Sequence, residues 1–436
     1  MPDRIGKRPP NFVVILCDDL GWGDISLDGA GPIATPNIAR MAAEGVYLSD
    51  YYAPANICTP SRAGLLTGRY PVRTGLGYEV IMQTDDRGLP LAEVTIAQAL
   101  KPAGYVSALF GKWHLGHMGE SWPPTRHGFD EFFGIPYSHD MAPLSLYESR
   151  AGSDETSASP VDFHRLQQDF HARAEAFISN NRDRPFFVEL ALSAPHLPEY
   201  PNPPFDAETL AGPYGAVVQE IDDIVGRLLA QLRELALEKD TVVIFTSDNG
   251  PWFEGSTGGL RDRKGGGGYD GGYRVPFVAW APGRIPPGRR VSSIAMGIDL
   301  LPTFVAMAGL DPPTGVALDG KDIGSVLADG APSPHEALIL FDNDAPIAVR
   351  TQRWKYVAAV YYRGLKLPYS IFGYEELHDL IADPSESYSV AATHPELAAE
   401  MRARLAAAKA EFAPYRQKEI PAAFRSLRSR GLHPQD

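Results

Sequence analysis

Cysteine is nearly absent: two residues in 436, at positions 17 and 58. Two thiols cannot build a disulfide framework, and no Cys/His cluster of zinc spacing exists. A surplus of positive charge is missing too. The formal net charge is −14, which argues against a nucleic-acid partner, because nothing would neutralise phosphates. Any anionic substrate must then be held by local cations working against the overall field. No apolar run approaches the roughly 20 residues of a membrane span, so no membrane partner is expected. The run Asn11–Leu16, NFVVIL, is too short for a signal-peptide core and leads straight into Cys17-Asp18-Asp19. The expectation is a cytoplasmic protein, unless a leader has been removed. Internal repeats and long low-complexity tracts are lacking; the nearest case is Gly265–Gly272, with six glycines in eight residues.

What is present is ordinary for a globular chain: 44% hydrophobic and 22% charged residues, and length enough for more than one compact unit. Strand-like apolar runs alternate with helical segments. Phe12–Cys17, Tyr105–Phe110, Pro185–Leu192, Thr241–Thr246 and Val275–Trp280 read as strands, and Phe163–Asn180 and Ala216–Leu237 as helices. Thr35-Pro36-Asn37 opens a further helix that Gly45 closes, with Thr35 as cap and Pro36 at the first helical position. The alternation predicts an α/β fold, a large and mostly parallel sheet sandwiched by helices. Beyond His335 the texture changes. Ala337–Phe341, Ile347–Arg350 and Trp354–Val360 are short runs close together, which suits antiparallel pairing, and His394–Tyr415 reads as a terminal helix. Residues 1–335 are therefore expected to form the main α/β domain and 336–436 a smaller α+β unit. Ser153–Pro160 is polar and reads as a loop.

Ligands of open α/β sheets bind beyond the carboxyl ends of the strands. Asp18-Asp19, Lys112-Trp113-His114, His196 and Asp248-Asn249 each follow a predicted strand. Taken singly, an Asp-Asp or Asp-Asn-Gly after a strand is a turn or a helix cap; four strand ends carrying polar groups together favour a site. Asp18, Asp19, Asp248 and Asn249 supply carboxylate and amide oxygens, the ligands of hard cations such as Ca²⁺ or Mg²⁺. Three carboxylates around a divalent ion leave residual negative charge, which Arg62, Lys112 and Lys264 can offset while holding an anion.

The second cysteine opens the stretch Cys58-Thr59-Pro60-Ser61-Arg62. Thr59 reads as an N-cap and Pro60 as the first helical residue, with the helix running to about Gly68. Cys58 then stands at the positive end of a helix, where an anion is favoured, with Arg62 one turn in. A buried packing cysteine is the plain alternative. A thiolate phosphatase is another, but its Cys and Arg are separated by five residues and these by three.

Cys58-Thr59-Pro60-Ser61-Arg62 followed by Thr67-Gly68-Arg69 resembles the signature of the type I sulfatases, in which the cysteine is oxidised to Cα-formylglycine. DDLGWGD (Asp18–Asp24), GKWHLG (Gly111–Gly116), GIPYSHD (Gly134–Asp140), FTSDNGP (Phe245–Pro251) and GGYRVP (Gly271–Pro276) occur in the family's order, so the resemblance covers nearly the whole chain and is closest to arylsulfatase A-type enzymes of the alkaline phosphatase superfamily. It implies that superfamily's fold. It implies that Asp18, Asp19, Asp248 and Asn249 bind a metal, usually calcium, with magnesium or manganese as alternatives, and that modified Cys58 completes the ligand set. A formylglycine-generating enzyme would be the maturation partner and a small-molecule sulfate ester the substrate. One hydroxyl of the hydrated aldehyde would attack sulfur, helped by the metal and Arg62. Lys112, Lys264 and His196 would hold sulfate oxygens, Ser138 would contact substrate, and His114 would take the proton that lets the sulfated hemiacetal expel sulfate.

Alternatives stay open residue by residue. Lys264 shares its loop with Arg261 and Arg263; His196 packs at a strand end in the bland reading; Ser138 caps a turn. His117, His127 and His139 are left structural. Cys17 reads as core packing, because a Cys17–Cys58 disulfide would block the modification. Trp252, Tyr361 and Tyr362 line a pocket or fill a core. The leading reading is a sulfuric ester hydrolase, with aryl sulfates the substrates the resemblance implies; the rivals are a phosphonate monoester or phosphodiester hydrolase using the same nucleophile, an enzyme that does both, and a non-catalytic calcium-binding protein whose Cys58 stays unmodified.

Overall fold

The structure is a computed structural model, in which residues 8–27, 31–153, 155–205, 209–362 and 365–417 are described. A ten-stranded sheet runs through the larger part of the chain. In spatial order its strands are Arg289–Val291, Val46–Leu48, Phe277–Trp280, Thr241–Ser247, Asn11–Asp18, Phe186–Pro195, Val106–Lys112, Glu131–Ile135, Leu146–Arg150 and Thr156–Ser159. The strands from Thr241–Ser247 through Glu131–Ile135 are mutually parallel. Phe277–Trp280 on one flank and the last two strands on the other pair antiparallel.

The central strand, Asn11–Asp18, is apolar over most of its length because both faces are covered. Phe12, Val14 and Leu16 share a core with the helices Cys58–Thr67, Ile96–Leu100 and Leu300–Met307. Val13, Ile15 and Cys17 point to the opposite layer, formed by the helices Pro36–Glu44, Leu166–Asn180 and Gly212–Glu234. Cys17 is thus a packing residue, and both cysteines are free thiols.

A separate four-stranded antiparallel sheet is built from Leu338–Asp342, Ala345–Arg350, Trp354–Val357 and Glu376–Asp379. The helix Pro395–Phe412 packs on it through Val349, Tyr356, Leu377, Met401 and Leu405.

The differences from the sequence reading are local. Ser153–Pro160 is not wholly a loop: Thr156–Ser159 pairs with Leu146–Arg150 as the sheet's edge, and a mostly exposed edge strand offers no apolar face to read. Trp354–Val360 breaks at Ala358, and Ala359–Tyr362 pairs instead with Leu365–Pro368. Of Tyr361 and Tyr362 only the backbone is described; Trp252 is exposed. Thr35 makes no side-chain cap. Its Oγ1 accepts from the Ser26 N–H at 2.8 Å, while Asp222 caps the helix from across the core, accepting from the N–H groups of Asn37 at 3.1 Å and Ile38 at 2.8 Å. Among the described residues no helix is long and apolar enough to cross a membrane.

Candidate active site

Asp18 ends the central strand and Asp19 follows it; Lys112 ends Val106–Lys112; His196 follows Phe186–Pro195; Asp248 and Asn249 follow Thr241–Ser247. These four parallel strands are consecutive neighbours, so distant parts of the sequence deliver polar groups to one edge. Ser138 comes just beyond the next strand, Glu131–Ile135. Asp19 and His114 take left-handed backbone, with φ of 66° and 57°, which costs about 1–2 kcal/mol for a residue with a side chain. Such strain concentrates where side chains must be aimed. At Gly111, φ is 131° and a Cβ would lie 1.8 Å from the Ala191 carbonyl oxygen, so only glycine lets this strand carry Lys112 past its neighbour.

Cys58 is the first residue of the helix Cys58–Thr67, whose N-cap position is Ile57 and not the predicted Thr59. Thr59 Oγ1 donates to the His114 carbonyl at 2.9 Å and accepts from the Ile81 N–H at 3.0 Å. The helix stops at Gly68 in left-handed conformation, and all its residues are buried. Cys58 Sγ lies 3.4 Å from Asp18 Oδ1 and 3.9 Å from Asp19 Oδ1. One turn on, Arg62 donates through Nε to Asp248 Oδ2 and through Nη1 to the Lys112 carbonyl, both at 2.9 Å; Nη2 stands 3.5 Å from Asp18 Oδ1. Ser61, which the sequence reading passed over, donates its hydroxyl to the Asp248 carbonyl. A serine between a proline and an arginine carries no signal of that partner.

One ligand atom from each of Asp18, Asp19, Cys58 and Asp248 lies within 4.8 Å of all the others. Asn249 Nδ2 donates to Asp19 Oδ1 at 2.8 Å, and its Oδ1 is buried with no hydrogen-bond partner among the described residues. Converging carboxylates and an unclaimed amide oxygen are a donor set that fits a hard divalent cation. The cations stand around it. Lys112 Nζ is 2.6 Å from Asp18 Oδ2, with both side chains fully buried. Lys264 Nζ is 2.7 Å from Asp19 Oδ2, and His196 Nε2 is 3.6 Å from the same oxygen. Lys264 is therefore not a solvated loop lysine. Arg261 turns to Glu376 and Arg263 to the Trp252 carbonyl instead.

Burial opposes the charge on Asp18, but Lys112, His196, Arg62 and Lys264 outweigh it and hold its carboxyl well below the usual range. Burial lifts Asp248, with Arg62 pulling the other way. Burial also raises the Cys58 thiol against the pull of Lys112 and Lys264. His114 is pushed well below the ordinary histidine range by burial, then by Lys112 and Arg62, so its ring is neutral. Its Nε2 lies 2.9 Å from the Ile81 carbonyl. A carbonyl only accepts, so Nε2 carries the hydrogen and Nδ1 keeps a lone pair. That Nδ1 is buried without a hydrogen-bond partner among the described residues, as is Ser138 Oγ, which caps no turn. His139, left structural by the sequence, sets its ring 5.6 Å from that of His196. His127 packs on Trp113, and His117 on Tyr137.

Over residues 10–310 the chain matches the sulfatase family model, and over 267–411 the model described as N-sulphoglucosamine sulphohydrolase, C-terminal. It is 36% identical over 438 residues to arylsulfatase A of Homo sapiens, covering 89% of this chain and 86% of that protein. It is 36% identical over 380 residues to N-acetylgalactosamine-6-sulfatase of Canis lupus familiaris, covering 80% and 71%. Among solved structures, the PsFucS1 sulfatase from Pseudoalteromonas sp. matches with a TM-score of 0.86 at 28% identity, covering 95% of this chain and 92% of that one. Fold and site together define a hydrolase of the alkaline phosphatase superfamily. The chain belongs to the type I sulfatase family and is a sulfuric ester hydrolase.

Proposed function

We propose that the protein hydrolyses sulfate monoesters of the aryl type, using Cα-formylglycine made from Cys58 by a formylglycine-generating enzyme, and a divalent cation, calcium first. The observation that carries this reading is the convergence on Cys58 of Asp18, Asp19, Asp248 and Arg62, ringed by Lys112, Lys264 and His196. Held by Asp18, Asp19, Asp248, Asn249 and residue 58, the cation would neutralise the carboxylates and supply a Lewis acid. Oxidation of Cys58 would replace a thiol with a hydrated aldehyde as the nucleophilic group.

The chain's own residues do the rest. Arg62, fixed by Asp248 and the Lys112 carbonyl, presents positive charge beside residue 58 and favours its anionic form. Each lysine ammonium has three donors, so Lys112 and Lys264 keep capacity for sulfate oxygens while bonded to Asp18 and Asp19. These fixed cations stabilise charge that builds on the ester in the transition state. His196 and the Ser138 hydroxyl donate to the ester, and the neutral His114 accepts a proton at Nδ1.

The test is a paired assay on matured, calcium-loaded enzyme: kcat/KM for an aryl sulfate against phosphonate and phosphodiester esters of the same phenol. We expect a preference for sulfate, loss of turnover in Cys58→Ala with the fold intact, and a peptide mass showing aldehyde at position 58. A preference for the phosphorus esters would move the function to the rival hydrolases. A thiol at position 58 in every active molecule would remove the nucleophile.

A further inference from the structure

Lys264 lies in a segment whose two feet stand on the C-terminal sheet. The segment closes on itself, with the Gly271 N–H donating to the Arg261 carbonyl at 2.8 Å and the Gly267 N–H to Asp262 Oδ2 at 2.8 Å. At the near foot, the Arg261 guanidinium stacks 3.9 Å from the centre of the Tyr269 ring, donates to the Glu386 carbonyl at 2.8 Å and faces Glu376 Oε1 at 3.3 Å. At the far foot, the Tyr269 hydroxyl donates to Glu376 Oε2 at 2.6 Å and the Asp270 N–H to Glu386 Oε2 at 2.7 Å. Lys355 Nζ, fully buried, bridges Asp270 Oδ1 at 2.5 Å and Glu386 Oε1 at 2.8 Å. Between the feet, a Cβ on Gly268 would come within 2.7 Å of Ala348 Cβ. Glu376, Lys355 and Ala348 belong to three strands of that sheet.

The middle of the segment reaches the opposite way. The Lys264 N–H donates to the Pro251 carbonyl at 3.1 Å, the Gly265 N–H to the Asn56 carbonyl at 2.9 Å, and Lys264 Nζ to Asp19. A run this rich in glycine has little conformational preference of its own, and a lysine stem is flexible. Its standing place has to be fixed from outside: Pro251 and Asn56 hold the backbone at Lys264 and just beyond it, while Glu376 and Glu386 anchor the two feet to the sheet.

We propose that Glu376 and Glu386 are positioning residues for Lys264, so that the C-terminal sheet sets how tightly the site holds a tetrahedral sulfur oxyanion. This rests on the reading of Lys264 as a sulfate ligand. The experiment uses matured, metal-loaded enzyme and measures KM and kcat for an aryl sulfate, inhibition by inorganic sulfate, metal content and thermal midpoint. The variants are Glu376→Gln, Glu386→Gln, Lys264→Ala, and Lys264→Ala combined with Glu376→Gln; glutamine keeps the side chain's shape but removes the charge and turns one accepting oxygen into an N–H donor, and two sites guard against one failing to fold. Glu376→Gln should weaken KM and sulfate inhibition by roughly ten- to a hundredfold, the upper end being the cost of a ~1 Å misplacement, with metal content unchanged. It should add nothing once Lys264 is alanine, whereas a purely structural defect would still act there. Full additivity in the double variant, or unchanged sulfate inhibition in both glutamine variants, overturns the proposal. Unchanged sulfate inhibition in Lys264→Ala alone overturns the ligand reading beneath it, and the single variant tells the two failures apart.

Discussion

Glu189 sits on the strand Phe186–Pro195 between Val14 and Leu109, with Oε2 buried and without a hydrogen-bond partner among the described residues. No motif marked it, since a lone glutamate in an apolar run looks like an exposed position. Burial raises its carboxyl to about 7, with Arg62 opposing. In an unfolded chain a glutamate titrates near ~4.3. The folded value is the higher one, so the folded state holds the proton more tightly. Stability is undiminished below pH ~4.3, falls as pH rises, and is lowered in full above about 7. Glu189→Gln removes that dependence. It should be more stable than the wild type at pH 8 by up to ~3 kcal/mol and nearly equal to it at pH 4, as read from denaturant midpoints. Equal differences at both pH values would count against the buried acid.

The helix that begins at Cys58 is held at its start by side chains reaching other segments. Thr59 joins it to the His114 turn and to Ile81, and the Ile81 carbonyl in turn orients the His114 ring. Thr59→Val leaves the buried Ile81 N–H and His114 carbonyl short of a partner, at a cost of about 1–3 kcal/mol. We expect a lower melting temperature and a kcat reduced more than KM is raised; an unchanged kcat would detach His114 from this brace. The same residue shows where reading stops. A threonine before a proline carries the local signal of a helix cap, and the acceptor that claimed it is 55 residues away. Asp222 caps the helix Pro36–Glu44 from 184 residues beyond Ile38, which no window on the sequence can contain. Asp18, Lys112, His196 and Asp248 were legible because strand ends of an open sheet converge whatever the loops between them do. Lys264 stood beside Arg261 and Arg263 with the same charge, and only its contact with Asp19 separates it from them.

Across the whole molecule the net charge is −14, and three buried carboxylates are gathered at one point of the sheet edge. A bound cation that relieves this repulsion in the folded state alone stabilises the fold, by about 2.7 kcal/mol at a hundred times its dissociation constant. Calcium added after chelation should raise the unfolding temperature with a saturable dependence on concentration. Asp248→Ala should blunt that response. Superimposable unfolding curves with and without calcium would deny the cluster its role as a cation site.

Cys58 is 2% exposed, at the start of a helix that is buried throughout. A catalyst that must grip the chain around this thiol cannot reach it in the finished molecule. If residue 58 is oxidised as proposed, that step and the closing of the fold would compete in time, and the oxidation would have to come first. A purified sample would then be a frozen record of that race, its active fraction set by how much of residue 58 was oxidised before the fold closed.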